Sequence, residues 1–320
     1  MVHRRLRAGQ CADDLAAYCQ PRKRAAQFAA CRMAVDADFF LTIDSDADLD
    51  HHAVREMLQP FGDDRVQSVA GVVLSENALK NPLTRCMHLY MTTWQLNERS
   101  AQSVLKSVAV NTGVLAAYRA AVVRDHAHAY LTETFMARKV VFSDDSMLTL
   151  FAKLRGRTVQ QPTAFAMAAM PETFGHHIRQ QLRWMRGSAI RTCWRIRYLP
   201  LTDYVFWTQM IHVFLTLTCG VVFVRLFFVQ PFVVGVPLWI LLTAPALISY
   251  VMALRYLTVH AEGETLGQQL AVFALAPVAM LWSMVVLRAL KWYGFATCAR
   301  THWGTRSEVE LHLDPVTPSA

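Results

Sequence analysis

The 320-residue sequence has no CxxC pair among its seven cysteines. An odd count without paired spacing supplies neither a disulfide framework nor a zinc site, so the water-soluble part reads as cytoplasmic. No secretory leader is expected either: Met1 is followed by His3, Arg4, Arg5 and Arg7, and no apolar stretch comes next. No nucleic-acid-binding motif accompanies the net charge of +8. The basic balance therefore reads first as the positive-inside bias of a membrane protein, with a phosphate-bearing substrate as a second source, and not as a DNA or RNA footprint. Charge is also scarce between residues 205 and 292, where apolar runs dominate a chain that is 54% hydrophobic. That asymmetry joins a water-soluble module to a membrane module.

What is present supports an α/β pattern. A helix is expected from about Ala12 to Met33. The short run Ala37–Ile43 then reads as a buried strand, and it stops at Asp44-Ser45-Asp46-Ala47-Asp48. In open α/β sheets ligands sit at the carboxyl ends of strands, where such acids collect. His51–Pro60 reads as a helix, Val66–Leu74 as a strand and residues 82–106 as a long amphipathic helix. A strand-like segment, Ser107–Val110, leads to Asn111-Thr112-Gly113 and a second apolar stretch ending at Tyr118-Arg119. Helix is expected from Met147 to Leu154 and strand from Thr158 to Ala168. Phe174–Arg197 is amphipathic with six arginines and reads as lying at a membrane interface. Phe206–Phe228 and Phe232–Leu254 are each long enough to span a bilayer, with Pro231 marking the turn between them. A third apolar run, Leu270–Leu290, contains Pro277, and the tail from 300 is polar.

Five short motifs carry candidate chemistry. Asp44 and Asp46, spaced i, i+2 at a strand end, can share a divalent metal that neutralises a diphosphate; the ordinary alternative is a solvated turn. Asp144 and Asp145 follow Ser143, and a carboxylate here can take a proton from an attacking hydroxyl. Ser143 can equally be a helix N-cap with acids in the first turn, and both readings are compatible. Gln180-Gln181-Leu182-Arg183-Trp184 offers an Arg for a diphosphate and a Trp for stacking, or else an interfacial helix with a snorkelling Arg. Lys23-Arg24 is a basic pair that can reach a phosphate, and Trp303-Gly304-Thr305-Arg306 follows the last apolar run.

Taken in order, these motifs resemble the processive family 2 glycosyltransferases, in particular the hyaluronan synthases and rhizobial chitin-oligosaccharide synthases, over about residues 20–306. The resemblance implies the following roles. Lys23, Arg24, Arg183, Trp303, Thr305 and Arg306 bind the nucleotide sugar. Asp44 and Asp46 bind the metal, Mg²⁺ or Mn²⁺. Asp145 is the catalytic base with Asp144 beside it, and Asn111, Thr112, Gly113, Gln180, Gln181 and Trp184 line the acceptor. Three departures stand out. The family's Gly-Asp-Asp-Arg is Ser143-Asp144-Asp145-Ser146 here, the acceptor segment lacks a Ser or Cys before its Gly, and only 22 residues precede Lys23 where the family has membrane helices and a first strand-helix unit.

The expected architecture is thus α/β: a partial GT-A-like, Rossmann-like domain (1–172), interface helices (173–204), a membrane region (205–293) and a loop and tail (294–320). Two spans with a re-entrant or interfacial third run keep both ends of the region cytoplasmic. The expected activity is inverting transfer of a sugar, GlcNAc or GlcA, from a UDP-sugar to a growing β-linked polysaccharide, by a multi-pass protein of the cell membrane that binds no nucleic acid. The competing expectation is an inactive or partner-dependent relative, with a partner chain supplying the missing unit.

Overall fold

The computed structural model describes residues 23–235, 237–259 and 264–301. The N-terminal part begins with α1 (Lys23–Met33), β1 (Phe39–Ile43), β2 (Ala47–Leu49), α2 (Ala53–Leu58) and β3 (Val66–Ser75). Next come α3 (Pro82–Trp94), a π-helical stretch (Gln95–Arg99) and α4 (Ser100–Val104). The segment continues through β4 (Leu115–Arg119), α5 (Ala120–Asp125), α6 (Ala127–Leu131), the short pair β5 (Thr134–Phe135) and β6 (Arg138–Lys139), α7 (Asp144–Arg155) and β7 (Arg157–Ala168). The C-terminal part holds α8 (Phe174–Tyr198), α9 (Tyr204–Val224), α10 (Leu238–Ala253), α11 (Leu266–Phe273), α12 (Ala276–Trp282) and α13 (Arg288–Ala296).

The five-stranded sheet runs in the order β1-β4-β3-β7-β2. β3 and β7 are parallel, and every other pair is antiparallel. β3 lies at the centre and is buried at every position but Gln67, as a strand covered on both faces must be. The period-2 alternation of a strand is explicit in β4. Ala116 and Tyr118 pack into one core with Met147, Leu148 and Phe151 of α7. Leu115 and Ala117 pack into the opposite core with Ala53 and Met57 of α2. The result is helix, sheet and helix in three layers.

Two local expectations are corrected. Ser107–Val110 is not a strand: it makes a single bridge, Ser107 to Thr158, beside β7. The turn between the first two apolar runs falls at Gly235 and not at Pro231. Gly235 adopts φ +72°, a left-handed conformation that Gly enters freely. Pro231 lies within a π-helical stretch, Arg225–Val234, that continues α9.

Among the described residues one helix segment, Tyr204–Val222, is long and apolar enough by itself to cross a membrane. α10 has 16 residues, or about 24 Å of rise, and contains Pro245. α11 and the continuous helical stretch Ala276–Ala296 that follows it are bent by 41° across a short break, and taken together they are also long and apolar enough.

Candidate active site

The sheet register assembles the site. Ile43 pairs with Leu115 across the antiparallel β1–β4 ladder. The residue that follows β1, Asp44, therefore comes to lie beside the residues that precede β4. A Cβ built on Gly113 would stand 3.8 Å from Asp44 Oδ1, 3.7 Å from Asp145 Cβ and 3.6 Å from Lys23 Nζ. Two loops and the first turns of two helices, α1 and α7, thus meet at one point.

Lys23 is the cation at that point. Its Nζ donates to Asp44 Oδ1 at 2.7 Å and lies 3.3 Å from Asp144 Oδ2. Burial opposes its charge, but the carboxylates of Asp144, Asp44 and Asp145 outweigh that and raise its pKa, so it stays protonated. Asp144 is buried, and Asp145 is half-buried. Asp145 Oδ1 accepts from the Ser146 amide at 2.7 Å. Burial first, and the neighbouring Asp144 second, raise the Asp145 carboxyl above the ordinary carboxylate range.

Ser143 stands at the N-cap of α7 with φ +61°, in the left-handed region, and its side chain makes no capping bond. Its Oγ is bonded instead to Ser146 Oγ at 2.9 Å. The capping expectation is corrected on this point, although the acids do occupy the first turn of the helix. Thr149, one turn on, donates to the Asp145 carbonyl at 2.7 Å and accepts from the Asn111 amide at 3.0 Å. It ties the 111–113 loop to the acid helix, and its i+4 spacing from Asp145 was visible in the sequence. Among the described residues the buried Thr112 hydroxyl makes no hydrogen bond, and the buried Asn111 amide has the Tyr118 hydroxyl as its neighbour.

The QQLRW motif divides between two faces, because residues two apart on a helix point about 200° apart. Arg183 interacts electrostatically with Asp144, Asp145 and Asp44, and burial lowers its pKa. Four residues on, Gly187 packs so close to Ser143 that an added Cβ would meet Ser143 Oγ at 2.8 Å. Gln181 instead lines an apolar cavity of about 160 Å³ with Met87, Tyr90, Phe174, His177 and Trp282. Gln180 is half-buried on the neighbouring face, and Trp184 is 39% exposed. Gln181 is therefore not brought to the acids.

Arg24 is also corrected. It is 7% exposed and its guanidinium is engaged by Glu133 Oε2 at 2.8 Å and by the carbonyls of Tyr130 and Phe142. Adjacent residues of a helix diverge by about 100°, so Lys23 and Arg24 serve different neighbourhoods. Asp46 is exposed in the turn after β1, two residues beyond Asp44. Trp303, Thr305 and Arg306 lie outside the described residues.

Among the described residues no three His, Cys, Asp or Glu side chains converge closely enough to hold a metal on their own. The donor set still fits a hard cation. Asp44 and Asp46 supply carboxylate oxygens at one turn, and Mg²⁺-type sites commonly take one or two carboxylates and complete the shell with substrate phosphates and water.

The α/β sheet thus brings Asp44, at the end of β1, together with Lys23 at the start of α1 and Asp144 and Asp145 at the start of α7. The chain belongs to the family described as glycosyltransferase like family 2, whose model matches residues 14–187. It is 30% identical over 277 residues to a hyaluronan synthase of Streptococcus pyogenes, covering 86% of this chain and 64% of that one. It is 31% identical over 182 residues to an N-acetylglucosaminyltransferase of Rhizobium sp. (strain N33), covering 57% of this chain and 40% of that one. The chain thus spans under two thirds of the length of these relatives. Among solved structures it resembles a mannosyltransferase, PcManGT from Pyrobaculum calidifontis in complex with GDP-Man and Mn²⁺, with 17% identity and a TM-score of 0.48 over 89% of this chain and 68% of that one.

Proposed function

We propose that the chain is a membrane-bound, inverting hexosyltransferase that moves a sugar, GlcNAc or GlcA, from a UDP-sugar to a growing β-linked polysaccharide of the hyaluronan or chitin-oligosaccharide type. The carrying observation is the meeting of Lys23, Asp44, Asp144 and Asp145 around Gly113. Asp145 receives the proton of the acceptor hydroxyl. Its raised pKa makes it a stronger base than a surface aspartate and brings it closer to its operating pH. Lys23, held charged, offers an N–H to a diphosphate oxygen beside Asp44, and Arg183 approaches the same acids from α8. Mg²⁺ or Mn²⁺ held by Asp44 and Asp46 would supply charge neutralisation for the departing UDP. The 111–113 loop, with the buried Thr112 hydroxyl left for a ligand, receives the acceptor sugar, with Gln180 and Trp184 along its path.

The membrane reading is supported by Tyr204–Val222 and by the bent helix pair after residue 266. In it α9 and α10 cross the bilayer, the bent pair lies re-entrant or at the interface, and the catalytic domain is cytoplasmic.

A second reading, a chain inactive until a partner supplies a further strand-bearing unit, is favoured by one observation. Among the described residues β1 is an edge strand of the sheet. It is flanked by an opening of about 410 Å³ lined by Phe39, Phe40, Leu41, Val54 and Met57. An unpaired edge beside an apolar shelf accepts a strand readily.

Incorporation of labelled sugar by membranes carrying the chain tests the first reading. Polymer formed from UDP-GlcNAc, alone or with UDP-GlcA, supports it. No incorporation by this chain alone, but incorporation when a relative's N-terminal segment is co-expressed, favours the second. No incorporation in either case refutes both.

A further inference from the structure

We propose that Glu133 is a positioning residue: its carboxylate gathers Arg191 and Arg24 into a buried clamp that holds the backbone turn from which Asp144 and Asp145 emerge. The inference rests on the active-site reading above, but its geometry stands apart from it.

Glu133 is 6% exposed, Arg24 7% and Arg191 fully buried. Arg191 Nη1 and Nη2 grip the two carboxylate oxygens, the second at 2.8 Å. Arg24 Nη1 lies 2.8 Å from Oε2, and Trp194 Nε1 donates to Oε1 at 3.1 Å. A bidentate Arg–carboxylate pair fixes orientation as well as distance. Here it fixes two guanidiniums, and both have donors left over.

Those donors point at one place. Arg24 Nη2 donates to the Phe142 carbonyl at 2.9 Å, and Arg191 Nη2 lies 3.4 Å from the Ser143 carbonyl. These are the two carbonyls immediately before Asp144. Ser143 between them occupies φ +61°. A non-glycine residue stays there when its surroundings over-determine it, and such residues cluster at functional sites. The clamp is what over-determines Ser143.

The same carboxylate links three segments of the site. Arg24 is next to Lys23 on α1, the turn carries Asp144-Asp145, and Arg191 is on α8. Arg183, Gly187 and Arg191 recur every four residues on α8 and so form one stripe facing this turn. The first approaches the acids, the second touches Ser143, and the third clamps it. Arg24 is thereby assigned to the clamp and not to the nucleotide.

Two readouts on the 320-residue chain in detergent test this. Glu133→Gln keeps the shape and an acceptor oxygen but removes the charge. Amide exchange of the peptide 142–147 is expected to quicken by about tenfold, with β3 unchanged. The kcat for UDP release is expected to fall by tenfold to ~10²-fold, with the KM for the UDP-sugar held within about twofold. Glu133→Asp, which keeps the charge, recovers part of the loss. Trp194→Phe, which keeps both ion pairs, gives a smaller change in the same direction and serves if Glu133→Gln does not fold. Unchanged exchange at 142–147 in folded variants, or a loss confined to KM, overturns the clamp. Absence of UDP release by the wild-type protein refutes the proposed reaction instead, and the exchange comparison still decides the clamp.

Discussion

Replacing Gly187 by Ala sets two forces of opposite sign against each other. In an exposed helix interior Gly→Ala gains about 1 kcal/mol of helix propensity. Gly187 is buried in α8, and an added Cβ would lie 2.8 Å from Ser143 Oγ and 2.9 Å from Ser143 Cβ. Overpacking of this kind costs roughly 1–3 kcal/mol. The turn cannot yield easily, because Ser143 is held at φ +61° and its carbonyl faces Arg191. The sum is a destabilisation of about 0–2 kcal/mol, with α8 displaced from the acids. A displacement approaching 1 Å at a catalytic group costs up to ~10²-fold in rate. Ser143→Gly removes both contacting atoms and relieves the left-handed strain, worth about 1–2 kcal/mol. It gives up the bond to Ser146, worth about 1 kcal/mol, so by itself it is near neutral. The Gly187→Ala, Ser143→Gly pair leaves Phe142 Cδ2 at 3.5 Å, an ordinary contact, and is expected to regain wild-type rate and to melt no lower than wild type. Thermal unfolding in detergent and UDP-release rates of the two single variants and the pair form the cycle. A Gly187→Ala protein that is more stable than wild type and equally active refutes the packing of α8 on this turn.

Three further outcomes follow from the same geometry. Because burial raises the Asp145 pKa above its unfolded value, the ionised group destabilises the fold at neutral pH; its relative stability is best below the ordinary aspartate pKa and is lost as pH rises through the folded value. Asp145→Asn is therefore expected to melt higher than wild type at pH 7–8, with the gap closing as pH falls toward 4; a gap that widens on acidification contradicts the assigned shift. Asp44→Ala removes a half-buried carboxylate and is expected to raise the Mg²⁺ or Mn²⁺ concentration for half-maximal activity by at least about tenfold, with chelator abolishing wild-type turnover; an unchanged metal titration removes Asp44 from the metal site. A cysteine placed near Ser307 is expected to resist impermeant thiol reagents in intact cells, and external labelling overturns the two-span topology.

Much of the fold was legible because its signals are local. The apolar run before Asp44 stops where a strand end should, and β3 and β7 lie within a residue of the expected bounds. Asp44 meets the 111–113 loop because the β1–β4 register carries Gly113 to it, a pairing no local pattern announces. What sequence order could not supply was facing. Arg24 and Lys23 are neighbours in the chain and diverge in space, and Gln181 and Arg183 sit on opposite sides of α8. Glu133 escaped notice because a single acid in a short connecting segment has no periodicity, although the four-residue stripe of Arg183, Gly187 and Arg191 was there to be read. Ser107–Val110 has strand composition but finds a partner at one position, so tertiary context overrode propensity.

The central claim is that Asp145 takes the proton from an acceptor hydroxyl beside a UDP-sugar held near Lys23 and Asp44. UDP release by membranes carrying the wild-type chain or Asp145→Asn, at equal protein and saturating donor, tests it most directly. The account predicts donor-dependent release from wild type and a rate lower by ~10²–10⁴-fold in the variant, the range of a lost general base, with donor binding retained. Equal release from the two proteins contradicts it.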